Sequence, residues 1–141
     1  MMLTILAGVS VFVIGQFLLK LLVEPIVSLK KSIGELSALF LQNHAVITNA
    51  HATITTQQDL KRVTSNILSN KQAVPFYSCF AVLLRLPSEE CLIDACRSVN
   101  LIAHNIAENV SEESRFSRCV EISDEMKNIS QKMKILVDYK A

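Results

Sequence analysis

The chain has 141 residues, half of them hydrophobic, with a formal net charge of +1 and a mean hydropathy of +0.35. Only Lys20 and Glu24 precede Pro25, so 13 Lys+Arg face 12 Asp+Glu from Pro25 onward. That even balance excludes a broad nucleic-acid-binding face, which needs a clustered basic excess.

Met1–Leu19 is free of charge, and Gln16 is its strongly polar side chain. As a helix this stretch is about 28 Å long, the hydrocarbon thickness of a bilayer. Nothing basic precedes the run, bulky residues fill its distal end, and no small-x-small cleavage site follows. These features predict an uncleaved signal-anchor over 1–24 and a cytosolic α-helical domain over 25–141. Lys20, Lys30 and Lys31 flank the C-terminal side, so the positive-inside rule places that side in the cytoplasm and the N-terminus outside. The expected location is a bacterial inner membrane, with the lipid bilayer as one partner. Thr4, Gly8 and Gly15 share one side of the helix, a seam for close approach of a second copy. Gln16, Lys20 and Glu24 make a separate polar line: either Lys20 snorkels to the interface and Gln16 is simply tolerated, or the line faces another copy or a shared lumen.

Pro25 marks a kink or the first turn of a new helix. Beyond it Ile26, Leu29, Ile33, Leu36 and Phe40 recur at three- and four-residue spacing, an amphipathic helix that weakens through Ile47 and Ala50. Thr55 and Gln58 read as a capping box, opening a helix buried along Leu60, Val63 and Ile67. Ala73–Leu86, bracketed by Pro75 and Pro87, is too short to span a bilayer and reads as a buried core helix. An in-plane segment touching the membrane is the second reading of it.

Ser88 caps the next helix, with Glu89 and Glu90 in its first turn and a stripe of Leu92, Cys96, Val99, Ala103, Ile106 and Val110. Ser111, Glu112 and Glu113 signal the last helix, running on Phe116, Val120, Met126, Ile129, Met133 and Leu136. No alternating strand pattern occurs. The fold class is all-α, an N-terminal transmembrane helix followed by a four- to five-helix cytosolic bundle.

Cys79, Cys91, Cys96 and Cys119 form no C-x-x-C pair and read as reduced, small core hydrophobes of a reducing compartment. No Walker loop, dinucleotide fingerprint, zinc-protease motif or nucleophile elbow occurs, so no cofactor or metal site is expected. His44 and His51, seven apart, share a helical face but lie about 10 Å apart along it, too far to hold one metal by themselves.

Arg97, Asn100 and His104 are spaced i, i+3, i+7 and project from one side of a helix. The run Arg97-Ser-Val-Asn-Leu-Ile-Ala-His104 resembles the Arg-x(4–6)-His signature of HEPN domains, helical bundles that are often dimeric ribonucleases. The resemblance implies His104 as general acid/base and Arg97 as the phosphate-holding cation, with Asn100 an orienting group. Ser98 departs from the polar residue that often follows the family's arginine.

A broader likeness rests on Phe12-Val-Ile-Gly-Gln-Phe-Leu-Leu-Lys20, Val23-Glu-Pro-Ile26, Leu29-Lys-Lys-Ser-Ile-Gly-Glu35 and Ala73-Val-Pro-Phe-Tyr77. These resemble a family of small bacterial single-pass membrane proteins with a cytosolic helical domain and no established activity. Anchor and Arg–His pair together are similar to the membrane-anchored, HEPN-like accessory proteins of RNA-targeting CRISPR systems, which assemble as oligomeric pores. That likeness implies a homo-oligomer, a membrane pore or effector in antiphage defence, and RNA or a CRISPR effector as partner. Two other expectations stand beside it: a membrane-tethered HEPN-like ribonuclease working through Arg97 and His104, and an adaptor recruiting a cytosolic partner through its C-terminal helix.

Overall fold

The computed structural model describes residues 2–106 and 112–138, which form helices and connecting turns without a strand. The N-terminal helix α1, Met2–Leu18, carries no acidic residue in its first turn and no basic residue in its last. A single π-helical turn, Leu19–Val23, joins it to α2, Glu24–Gln42, so the helix continues through Pro25 instead of breaking there. In the π turn the Glu24 N–H donates to the Leu19 carbonyl five residues back. The widened turn carries the preceding carbonyls clear of the proline ring, which would clash with the carbonyl four residues back in a regular α-helix. The continuous stretch Thr4–Gln42, 39 residues, contains a window long and apolar enough to cross a membrane.

After α2 come the short α3, His44–Thr48, then α4, Ile54–Ala73, α5, Tyr77–Leu83, α6, Glu89–Asn105, and α7, Glu112–Met133. Four long helices make the body: α2 packs on α4, α4 on α6 and α6 on α7. Neighbours run antiparallel. Asn70, near the end of α4, donates to Ser32 Oγ at 2.8 Å and to the Ser28 carbonyl at 3.3 Å, both in the first half of α2. Asn128 of α7 reaches Ser98 of α6 at 3.2 Å, and Lys132 reaches Asp94 at 3.1 Å.

The core follows the helical periodicity. Leu29, Leu36 and Phe40 of α2, Leu60, Val63 and Ile67 of α4, and Leu92, Cys96, Val99, Ala103 and Ile106 of α6 are all buried. In α7 the buried line is Ile122, Met126, Ile129 and Met133, and Val137 follows it in the tail. Phe116, Val120 and Leu136, expected on that line, are exposed. The tail turns at Lys134, whose φ of 55° ends the helix in the left-handed region, and Ser37 Oγ donates to the Leu136 carbonyl. That turn faces Val137 inward and Leu136 outward. Val110 and Ser111 lie outside the described residues.

Three further expectations are corrected. The cap of α4 is Thr53, whose Oγ1 accepts from the Thr56 N–H at 3.4 Å, not Thr55 with Gln58. Thr53 alone of the three neighbouring threonines has the extended backbone a cap requires. His44 and His51 share no helix, because α3 ends at Thr48 and Ala50 turns left-handed at φ 49°. His44 instead approaches Asp138, Nε2 to Oδ1 at 3.8 Å.

The third concerns Ala73–Leu86. It is not a buried core helix: its helical part is the seven residues of α5, of which only Tyr77 and Ala81 are buried. Pro75 and the left-handed Phe76 (φ 52°, ψ 41°) keep α5 short at its start, and Arg85 (φ 54°) ends it. The Tyr77 hydroxyl donates to the buried Pro87 carbonyl at 2.7 Å, and Lys71 lies 5.7 Å above the Tyr77 ring. Lys71 also pairs with Glu89. Burial, and secondarily the Glu89 charge, push the Tyr77 phenol up to about 12.

Candidate functional site

Two regions carry the residues singled out from the sequence. The first is α1 with its π turn. Thr4, Gly8, Gly15, Gln16 and Lys20 are all exposed, and the helix window long and apolar enough to cross a membrane buries none of its residues against the body. A Cβ built on Gly8, Gly15 or Gly34 meets nothing within 4 Å. Glycine costs a helix about 1 kcal/mol relative to alanine, and nothing among the described residues requires that smallness at these positions.

The π turn matters for how these glycines line up. Gly8 and Gly15 lie about 20° apart in projection. Gly34 follows Gly15 by 19 residues, which in an unbroken α-helix leaves it about 100° away. A single π turn absorbs one extra residue, reducing the interval to the equivalent of five whole α-helical turns. All three glycines of the chain therefore fall on one side of one continuous helix. Gln16 and Lys20, one turn apart, line a separate open groove with Phe12, Val13, Phe17 and Leu21.

The second region is the outer face of α6. Arg97, Asn100 and His104 are exposed together on it, as the i, i+3, i+7 spacing requires. Arg97, with 76% of its side chain exposed, donates to Asp94 Oδ1 at 3.1 Å one turn back. His104 stands in the last turn of α6, where a cation complements the helix dipole. Ser98, next to Arg97, turns inward to accept from Asn128 and is buried.

Asp94 is the residue that sequence reasoning missed. It bridges Arg97 on its own helix and Lys132 on α7. The hydrogen bond from Lys132, reinforced by that ammonium charge, holds its carboxyl below the usual carboxylate range. The i, i+3 relation to Arg97 was visible in the sequence; the contact with Lys132 depends on the α6–α7 register.

The cysteines are free and divide by environment. Cys96 is buried, and that burial pushes its thiol up to about 11, so it behaves as a small hydrophobe. Cys79, expected inside the core, is exposed on α5, and Cys91 and Cys119 are half-buried. Among the described residues no group of three or more His, Cys, Asp or Glu is placed to hold a metal ion. Compared with protein-family models, with curated proteins and with solved structures, the chain matches none of them.

Proposed function

We propose that this protein is a homo-oligomeric, helical protein anchored in the bacterial inner membrane, with its N-terminus outside and its bundle in the cytoplasm. In this reading the anchors associate and the assembly acts on the membrane itself, as a pore or effector in antiphage defence.

The observation that carries the reading is the complete exposure of α1. Ten of its large apolar side chains, from Met2 to Leu18, stand outside the body with about half or more of their surface uncovered. At about 1.5–3 kcal/mol for each such side chain when fully buried, and with roughly two-thirds of their surface uncovered, leaving them in water forgoes on the order of 10–20 kcal/mol. That matches or exceeds the whole net stability of a typical domain, about 5–15 kcal/mol. Lipid and other copies of the chain are the surroundings that supply the missing contacts.

Self-association is supported by the common side of Gly8, Gly15 and Gly34, where backbones can approach closely. Gln16 and Lys20 supply the polar line that an assembled ring would turn toward a lumen or a neighbouring copy. The antiphage role rests on the likeness of plan to CRISPR accessory pore proteins. Mass photometry of the full chain in mild detergent should give one discrete multimer. Gly8→Leu with Gly15→Leu should dissociate it while leaving the thermal unfolding of the bundle unchanged. A wild-type protein that remains monomeric at micromolar concentration would overturn the proposal.

A further inference from the structure

A second apolar surface lies on α5. Opposite the buried Tyr77 and Ala81 the helix presents Val82, 84% exposed, and Leu83, 73% exposed, with Phe76 80% exposed at its start. Phe76 holds a left-handed backbone, a conformation that costs a bulky residue about 1–2 kcal/mol, and it does so with its ring in the open. The surface does not stand alone. α5 lies beside the foot of the membrane helix, leaving a groove of about 610 Å³ between Leu22, Ile26 and Val27 on one side and Phe80, Leu83 and Leu84 on the other. Lys30 stands at the rim of this groove, and the exposed Arg85 directly follows Leu84.

We infer that Phe76–Leu84 is an in-plane membrane element, seated at the boundary of acyl chains and headgroups in the cytoplasmic leaflet. Lipid tails fill the groove, and Lys30 and Arg85 meet anionic lipid phosphates. The inference rests on the reading that α1 spans the bilayer.

Given that span, the depth of α5 follows from helix geometry. About 20 residues cross the hydrocarbon, so a span beginning at Met2 leaves it near Leu22. Ile26 and Val27 then lie about 6–8 Å further along the axis, within a headgroup layer about 5–8 Å thick. Lys30 is about 12 Å beyond Leu22, about 4–7 Å past that layer, a distance its extended side chain spans back toward the phosphates. α5 flanks the helix at this level, so its outward Val82 and Leu83 meet the interfacial zone where amphipathic segments bury an apolar face about 5–10 Å deep.

Charge favours lipid over a second copy as the occupant. A copy seated symmetrically on the groove would bring a second Lys30 against the Lys30 already at its rim. Anionic headgroups neutralise them at about 1 kcal/mol per basic residue.

The sequence contains no tryptophan, so one introduced indole reports one position. Leu83→Trp, Phe12→Trp and Leu101→Trp are each made in the full chain. Each is reconstituted in nanodiscs of phosphatidylethanolamine and phosphatidylglycerol, with lipids brominated near the headgroup end or near the terminal methyl of the acyl chain. The L83W indole should lose most of its emission to the shallow bromines and little to the deep ones. The F12W indole should respond chiefly to the deep bromines, and L101W, on the outer face of α6, to neither. Val82→Trp repeats the measurement should L83W fail to fold. Unquenched L83W and V82W overturn the inference: blue emission would mean a second copy covers α5, and red emission that water does. Failure of F12W to quench would instead remove the membrane reading on which the inference rests.

Discussion

Tyr77 holds α5 to the body, and its removal makes a quantitative test of that arrangement. Tyr77→Phe keeps the ring beneath Lys71 and deletes only the hydroxyl that donates to the Pro87 carbonyl at 2.7 Å. Pro87 is buried, so its carbonyl loses this donor out of reach of bulk water, a defect that costs about 1–3 kcal/mol. The titration tests the burial of the same phenol, because desolvation, and secondarily the Glu89 charge, raise it. The folded phenol titrates at about 12 against an ordinary 10.0. Its contribution is complete below the unfolded value, where neither state has lost the proton. As pH rises from 10.0 toward about 12 the unfolded chain ionises first and that contribution is lost. Urea unfolding of the full chain in detergent, followed by circular dichroism, should show the variant's midpoint lowered by about 1 M near neutral pH. By about pH 11 the gap should narrow, because the variant has no phenol to ionise. A variant as stable as wild type near neutral pH, or a gap that persists unchanged into alkali, would refute this account of how α5 is held.

Four other outcomes follow from the same structure. Phe40→Ala removes a fully buried ring at the end of α2 and should lower stability by about 3–5 kcal/mol in chemical denaturation, with a smaller loss if the site collapses. Ser88→Ala deletes the oxygen that accepts from the Cys91 N–H and should cost about 1 kcal/mol, whereas Ser88→Asp should retain the cap. Asp94→Asn should leave the urea midpoint at neutral pH close to that of wild type, since the pairs it weakens are partly exposed. The wild-type contribution of that carboxylate should disappear as pH falls below the ordinary carboxylate range, through its lowered folded value. Cys96 should resist alkylation in the native protein at neutral pH and react on unfolding, as peptide mapping would show. Its stabilising effect should decline as pH rises from the ordinary 9.0 toward about 11.

Much of the bundle was legible because helical burial repeats in sequence. Leu29, Ile33, Leu36 and Phe40 could be read as one face without a structure, as could Leu92, Cys96, Val99, Ala103 and Ile106. Ser88 declared its cap because a serine stands directly before two acidic residues. The failures share a cause: they occur where local chemistry permits more than one answer and a distant contact selects. Thr53, Thr55 and Thr56 can each accept a hydrogen bond at a helix start, and the selection falls to backbone conformation around Thr53. Ala73–Leu86 is apolar enough for a core, but a short apolar run does not reveal what it faces. Tyr77 docks on Pro87 and turns Val82 and Leu83 away from the body. The left-handed Phe76 and Arg85 carried no signal, since neither residue type favours that conformation.

The candidate site shows the same division. The exposed Arg97–Asn100–His104 line follows from spacing alone, and so does the common side of Gly8 and Gly15. Gly34 does not belong to that side by simple counting: regular helical geometry sets it about 100° away. The π turn at Leu19–Val23, beside a proline that a regular helix cannot accommodate freely, takes up the one residue that restores the alignment. Pro25 is thus more than a boundary between the N-terminal helix and the bundle. The turn beside it sets the rotation of one relative to the other, bringing the open side of α2 at Gly34 into line with the open side of α1 at Gly8 and Gly15. With Gly34 in that line the N-terminal helix and the bundle turn one shared side outward, an alignment a lone domain would not need, and self-association is the use proposed for it.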